Sequence, residues 1–118
     1  MQAKDGVGRY GEQVAVRYLE EQGLEVVERN WRCARGELDI VARDGETLVF
    51  IEVKTRSSVQ FGVPAEAVTR VKANRLRYLA GSWLAEHPHT YAGLRFDVIS
   101  VVRRPAGAAE VLHLQDAF

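Results

Sequence analysis

The sequence predicts a mixed α/β domain, a five-stranded sheet flanked by two helices in the order α-β-β-β-α-β-β. Three observations lead there. Residues 8 to 23 repeat their apolar side chains at helical spacing. Residues 36 to 55 alternate in two runs about Asp44-Gly45, the signal of an antiparallel hairpin. A second helical stretch separates that hairpin from the next strand, so the strands on either side of it should lie parallel, joined by a right-handed crossover.

Taken in order, Val14, Ala15, Tyr18 and Leu19 form the stripe of the first helix. Gly23 stops it, because glycine accepts the left-handed backbone that closes a helix. Residues 24 to 31 read as a strand, and the hairpin strands cover about 36 to 43 and 47 to 55. Arg56 to Val63 is a loop containing Ser and Gly, and Pro64 suits the first turn of the second helix. Val68, Val71, Leu76, Leu79, Ala80, Trp83 and Leu84 give that helix a broad apolar face until His87-Pro88 ends it. Residues 94 to 102 and 110 to 114 complete the sheet, with Arg103-Arg104-Pro105-Ala106-Gly107 as a short connection. Trp31, Trp83 and Tyr78 are assigned to core or interface rather than to base stacking, the alternative being one exposed ring that wedges into a DNA branch, and His87 and His89 are assigned to turns.

The hairpin carries the chemistry. Side chains two apart share a face of a strand, so Leu48, Phe50, Glu52 and Lys54 line one face and Val49, Ile51 and Val53 the other. Glu37 and Asp39 likewise share a face. A hairpin closing at Asp44-Gly45 brings Asp39 within about one residue pair of Ile51 or Glu52. Charged groups inside apolar strands need compensation, and a divalent cation between Asp39 and Glu52 supplies it. Oxygen ligands suit Mg²⁺ or Mn²⁺, with the Val53 carbonyl as an extra ligand. Lys54 would project into the same pocket, placed to orient a water or to stabilise charge growing on a phosphoryl group. Removing Asp39 is expected to relieve repulsion among clustered acids and leave the fold intact.

Three blocks, Gly11-Glu12, Gly36-Glu37-Leu38-Asp39 and Phe50-Ile51-Glu52-Val53-Lys54-Thr55-Arg56, carry a family likeness. From about Gly8 to the end of the chain, the sequence resembles the bacterial YraN family of the PD-(D/E)xK nuclease superfamily, a group similar to archaeal Holliday junction resolvases. One departure is Leu38, where the superfamily signature has proline; it removes no chemistry. The resemblance implies a restriction-endonuclease-like core and a metal-dependent DNA endonuclease acting on branched or otherwise structured DNA. It associates Glu12, Asp39 and Glu52 with the metal and Lys54 with catalysis. It also implies a homodimer, since symmetric cutting of two strands takes two sites. The site is expected where the hairpin meets the first helix. The alternatives, from other functional classes, are a nucleic-acid-binding module that cuts nothing and an adaptor that keeps only the fold.

Composition sets the remaining limits. At 118 residues and 47% hydrophobic, residues 1 to 118 are expected to form one domain with a single core. No run approaches a membrane span and the N-terminus lacks a secretory signal's apolar stretch, so a cytoplasmic location is expected. Cys33 stands alone and reads as a small packing residue. Formal charge is zero, yet its halves differ: residues 1 to 53 hold 7 basic and 11 acidic side chains, and residues 54 to 118 hold 9 basic and 5 acidic. In the basic half, Arg56, Ser57, Ser58, Lys72 and Arg75 are expected to hold the phosphate backbone of DNA, positioning it without reading bases.

Overall fold

The computed structural model describes residues 6–56, 69–88 and 91–118. Helix α1 (Gly6–Glu21) leads into strands β1 (Glu25–Cys33), β2 (Gly36–Asp44) and β3 (Thr47–Arg56). Helix α2 (Arg70–Glu86) and strands β4 (Gly93–Val102) and β5 (Glu110–Leu114) complete the chain, in the expected order. The five strands form one sheet in sequential order. Strands β3 and β4 pair parallel, with α2 in the connection between them, and every other pair is antiparallel. No helix of the described residues is long and apolar enough to cross a membrane.

Helix α1 ends as its sequence requires. Gly23 adopts φ of 91°, and the N–H groups of Leu24 and Gly23 donate to the carbonyls of Leu19 and Glu20 at 3.0 Å each. Those paired bonds satisfy carbonyls that the last turn leaves open. Thr69 caps the other helix, its hydroxyl accepting the Lys72 N–H at 3.2 Å. The proposed helical start at Pro64 and the loop from Ser57 to Val63 lie outside the described residues.

Strand β3 is buried on both faces along Leu48, Val49, Phe50 and Ile51, which is why it reads as a continuous apolar run and sits at the centre of the sheet. On one side Ala15 and Leu19 of α1 pack with Ile40, Ala42, Val49, Ile51, Ile99 and Val101. On the other, Leu76, Leu79, Ala80 and Trp83 of α2 pack with Leu38, Val41, Leu48 and Phe50. Each fully buried side chain of this size contributes about 1.5–3 kcal/mol of transfer free energy. Helix α1 approaches β3 so closely at Gly11 that a Cβ there would lie 1.8 Å from Thr55 Oγ1 and 2.7 Å from Thr55 Cβ. Trp31 and Trp83 are core residues and half-buried Cys33 packs beside them, as expected, whereas Tyr78 is exposed. His87 caps α2, stacked on Trp83.

A polar hub ties the far end of the sheet together. Asp97 of β4 is fully buried and accepts hydrogen bonds from Arg95, from His113 Nε2 at 2.7 Å and from the Asp116 N–H at 2.9 Å. Arg95 also reaches Asp44 at 3.1 Å, and His113 Nδ1 lies 3.1 Å from the Tyr18 hydroxyl. The hub thereby links β4 to β5, to the end of β2 and to α1. Burial pushes the Asp97 carboxyl up, but the bonds from His113, Arg95 and Asp116 outweigh it and hold the group below its ordinary value.

Two outcomes follow from this packing. Gly11→Ala should destabilise the protein by about 1–3 kcal/mol in urea denaturation, with partial recovery in Gly11→Ala/Thr55→Ala. Asp97→Ala should cost about 3–5 kcal/mol at pH 7, because Arg95 and His113 lose their buried partner. Since the folded-state Asp97 binds its proton less readily than the unfolded chain does, its stabilisation is complete above the ordinary carboxylate range. It is lost as pH falls through the depressed folded value. The gap between wild type and variant should therefore close on acidification, and an unchanged gap at pH 2 would contradict the assignment.

Candidate active site

The hairpin turn falls on Gly45-Glu46, one residue later than expected. Gly45 has φ of 61° at the first turn position, where a two-residue hairpin turn takes glycine. Asp44 pairs with Thr47, Val41 with Phe50 and Ile40 with Ile51, so Asp39 stands opposite Glu52. There the ladder stops. The Asp39 carboxylate instead accepts the Val53 backbone N–H, at 2.9 Å from Oδ2. On the neighbouring strand, Asn30, at the position facing Asp39, has φ of 55°, a left-handed conformation that Asn tolerates better than most residues. It breaks the two-residue period. Trp31 and Leu38 turn to the α2 side, three residues from Glu28, which bonds Trp83 at 2.8 Å, and from Val41.

The interruption borders a cleft of about 320 Å³ lined by Gly36, Glu37, Asp39, Glu52, Val53, Lys54 and Arg75. Four of the predicted residues, Asp39, Glu52, Val53 and Lys54, thus meet, joined by Glu37 and by Arg75 of α2. A comparable hollow of about 350 Å³ between α1 and residues 107 to 111 contains a single carboxylate, Glu21, and offers no paired acids.

The expectation set the site where the hairpin meets α1; the described residues lining this cleft come from the hairpin and α2. Glu52 and Lys54 share the face of Leu48 and Phe50, and that face belongs to α2; α1 covers the face of Val49 and Ile51. Glu12 lies in α1 at 2% exposure and is not among the residues lining the cleft. Arg56 continues the line of Lys54, half-buried, with its guanidinium 3.4 Å from Ser100 Oγ. Ser57 and Ser58 lie outside the described residues.

Glu52 is surrounded by cations. Arg75 Nη2 lies 3.4 Å from Oε1, while Lys72 Nζ and Lys54 Nζ lie 3.6 and 3.9 Å from Oε2. Lys72 and Arg75 occupy the first turns of α2, so the positive end of the helix dipole adds to the same field. Contact with the Lys72 side chain, followed by burial, holds the Lys54 ammonium below its ordinary value against the pull of Glu52 and Asp39. These cations are a feature that charge counting foresaw only in part: the basic stretch was legible, its convergence on Glu52 was not.

A divalent cation fits these donors. The cleft offers carboxylate oxygens and no Cys or His, a set suited to Mg²⁺ or Mn²⁺. Glu52 Oε2 is buried and makes no hydrogen bond among the described residues, its nearest donors being the ammonium groups of Lys72 and Lys54 at 3.6 and 3.9 Å. Mg²⁺ keeps several waters and takes one or two protein carboxylates, so Asp39 and Glu52 suffice. Among the described residues no three acids, histidines or cysteines are gathered into one ligand set.

A model of the uncharacterised protein family UPF0102 matches residues 11–101. A UPF0102 protein of Beutenbergia cavernae is 66% identical over 115 residues, covering 98% of both chains. One from Frankia alni is 57% identical over 118 residues, 100% of this chain and 98% of its own. One from Nocardia farcinica is 49% identical over 115 residues, 98% of this chain and 91% of its own.

The Asp39 geometry argues against the expectation that its loss would cost little stability. Its carboxylate holds the Val53 N–H and sits near cations, so Asp39→Ala should cost about 1–3 kcal/mol in chelator, read as a lowered melting temperature. An unchanged melt would show that water replaces the bond without cost.

Proposed function

The chain belongs to the uncharacterised protein family UPF0102, and on that premise we propose that it is a metal-dependent endonuclease of the PD-(D/E)xK type, acting in the cytoplasm on branched or otherwise structured DNA. The observation that carries the reading is the meeting of Asp39, Glu52 and Lys54 in one cleft walled by Arg75. That arrangement is consistent with the superfamily's Asp, Glu-x-Lys signature.

Asp39 and Glu52 would hold Mg²⁺ or Mn²⁺, with Val53 beside them and Glu12 assigned to the site by the family resemblance. The bound ion supplies the Lewis acidity that polarises a phosphodiester and activates water. Lys54, on the same face as Glu52, orients the attacking water or neutralises charge building on the non-bridging oxygens. Lys72 and Arg75 hold the flanking phosphates: an ammonium has three donors and a guanidinium five, more than their contacts with Glu52 use. Arg56, Ser57 and Ser58 extend that backbone track. Two copies of the chain, as a homodimer, supply the two sites that paired cuts require.

A second reading, a nucleic-acid-binding module without cleavage, is favoured by a specific observation. Glu52 is already neutralised by three side chains, and among the described residues no third ligand joins Asp39 and Glu52. One assay separates the two. Supercoiled plasmid and a four-way junction incubated with protein should be cut in Mg²⁺ or Mn²⁺ and left intact in chelator. Lys54→Ala should cut at least about hundredfold more slowly while binding DNA normally. Salt-sensitive binding with no cutting by wild type in either metal would establish the second reading.

A further inference from the structure

We propose that Tyr78 and Arg35 form a stacking platform for an unpaired nucleobase at the rim of the cleft, so that the strand it takes carries a base out of the duplex. The inference rests on the reading of the cleft as a phosphodiester site, whether or not it cuts. Tyr78 is a large aromatic side chain on a helix whose Leu76, Leu79, Ala80 and Trp83 turn to the core, yet it is 51% exposed. The Arg35 guanidinium lies over its ring, 5.1 Å from the centroid. An aromatic ring with an arginine across it presents the flat, polarisable surface that bases stack on, without regard to their identity.

Two chain connections place this pair beside the cleft. Arg35 precedes Gly36, and Tyr78 follows Arg75 by three residues, about one helical turn; Gly36 and Arg75 both line the cleft. Val71, at 78% exposure, Arg75 and Tyr78 share one outward stripe of α2. From Arg70 to Arg77 the helix carries four basic residues and no acid, so the surface beside the ring attracts a polyanion rather than a neutral or basic partner. A phosphate held by Arg75 and Lys72 leaves the adjoining base within reach of the ring. Paired bases are stacked inside their duplex and cannot use it, whereas a junction, gap or single strand can.

The test measures binding in chelator, which removes cleavage from the readout. A four-way junction, a gapped duplex and a perfect duplex each carry 2-aminopurine, at the unpaired or branch position in the first two. Wild type should quench the probe in the junction or the gap and not in the duplex. Tyr78→Ala should abolish the quench and weaken gapped-DNA binding about tenfold, with duplex affinity and melting temperature unchanged. Tyr78→Phe should retain both effects, and Arg75→Ala should weaken all three DNAs alike. Equal affinities and quench in wild type and Tyr78→Ala would overturn the inference, as would failure of wild type to bind any of the three. Loss of the quench in Tyr78→Ala beside a wild type that never cuts in Mg²⁺ would retain the platform and remove the endonuclease.

Discussion

The bond from the Val53 N–H to Asp39 Oδ2 is the contact on which the site depends. A sheet is a repeating ladder, and a repeating ladder has no room for a cleft. By taking a backbone donor with a side-chain oxygen, Asp39 ends the β2–β3 ladder at Ile40 and Ile51 without leaving Val53 unsatisfied. Asn30 performs the matching step on β1, where its left-handed backbone turns Trp31 and Leu38 toward α2. The hairpin is therefore regular where it must be buried and irregular where charged groups must gather.

Strand β3 then divides its length between two tasks. From Leu48 to Ile51 both faces are sealed, by α1 on one side and α2 on the other. From Glu52 onward the α2-facing positions become a carboxylate and an ammonium, and α2 answers with Lys72 and Arg75 instead of leucines. One helix thus supplies core at Leu76, Leu79 and Trp83 and counter-charge at its opening turns. The Asp97 hub sits beside the middle of the strand pair, Asp97 standing opposite Ile51, and fixes β4, against which β3 lies parallel.

The fold was legible because its signals are local and redundant: helical periods, an alternating hairpin, and Gly23 as a stop. The division of β3 into two faces came from alternation alone. Turn placement did not, since Asp44-Gly45 and Gly45-Glu46 share the same glycine and only pairing decides between them. The contribution of α2 to the cleft was not legible, because family likeness drew attention to Glu12 and α1, whereas Glu52 and Lys54 follow Leu48 and Phe50 to the α2 face. Asp97 was readable and passed over: it alternates with Ile99 and Val101, and a carboxylate on an apolar face signals buried partners. His113 had no such signal, because a histidine in a short edge strand acquires meaning only when the sheet brings Asp97 across from it. The exposure of Tyr78 was equally hidden, its spacing from Leu79 and Leu76 being ambiguous between core and surface.

The ring of cations about Glu52 is compatible with hydrolysis for an electrostatic reason. The cleft gathers three acids, Glu37, Asp39 and Glu52, against Lys54 and Arg75, with Lys72 adjoining on Glu52 and Arg32 on Glu37. Four cations thus match the three carboxylates. A divalent ion adds two positive charges in a part-buried setting, which is costly unless matched. A phosphodiester matches one of them in the ground state. The second is matched only as the attacking oxygen brings negative charge onto phosphorus. A cleft whose carboxylates are already matched therefore favours the ion and the substrate together over the ion alone, and favours most the moment at which charge on the phosphoryl group is greatest. A cleft of bare carboxylates would bind the ion more tightly and repel the strand; this one trades affinity for metal against complementarity to the reaction.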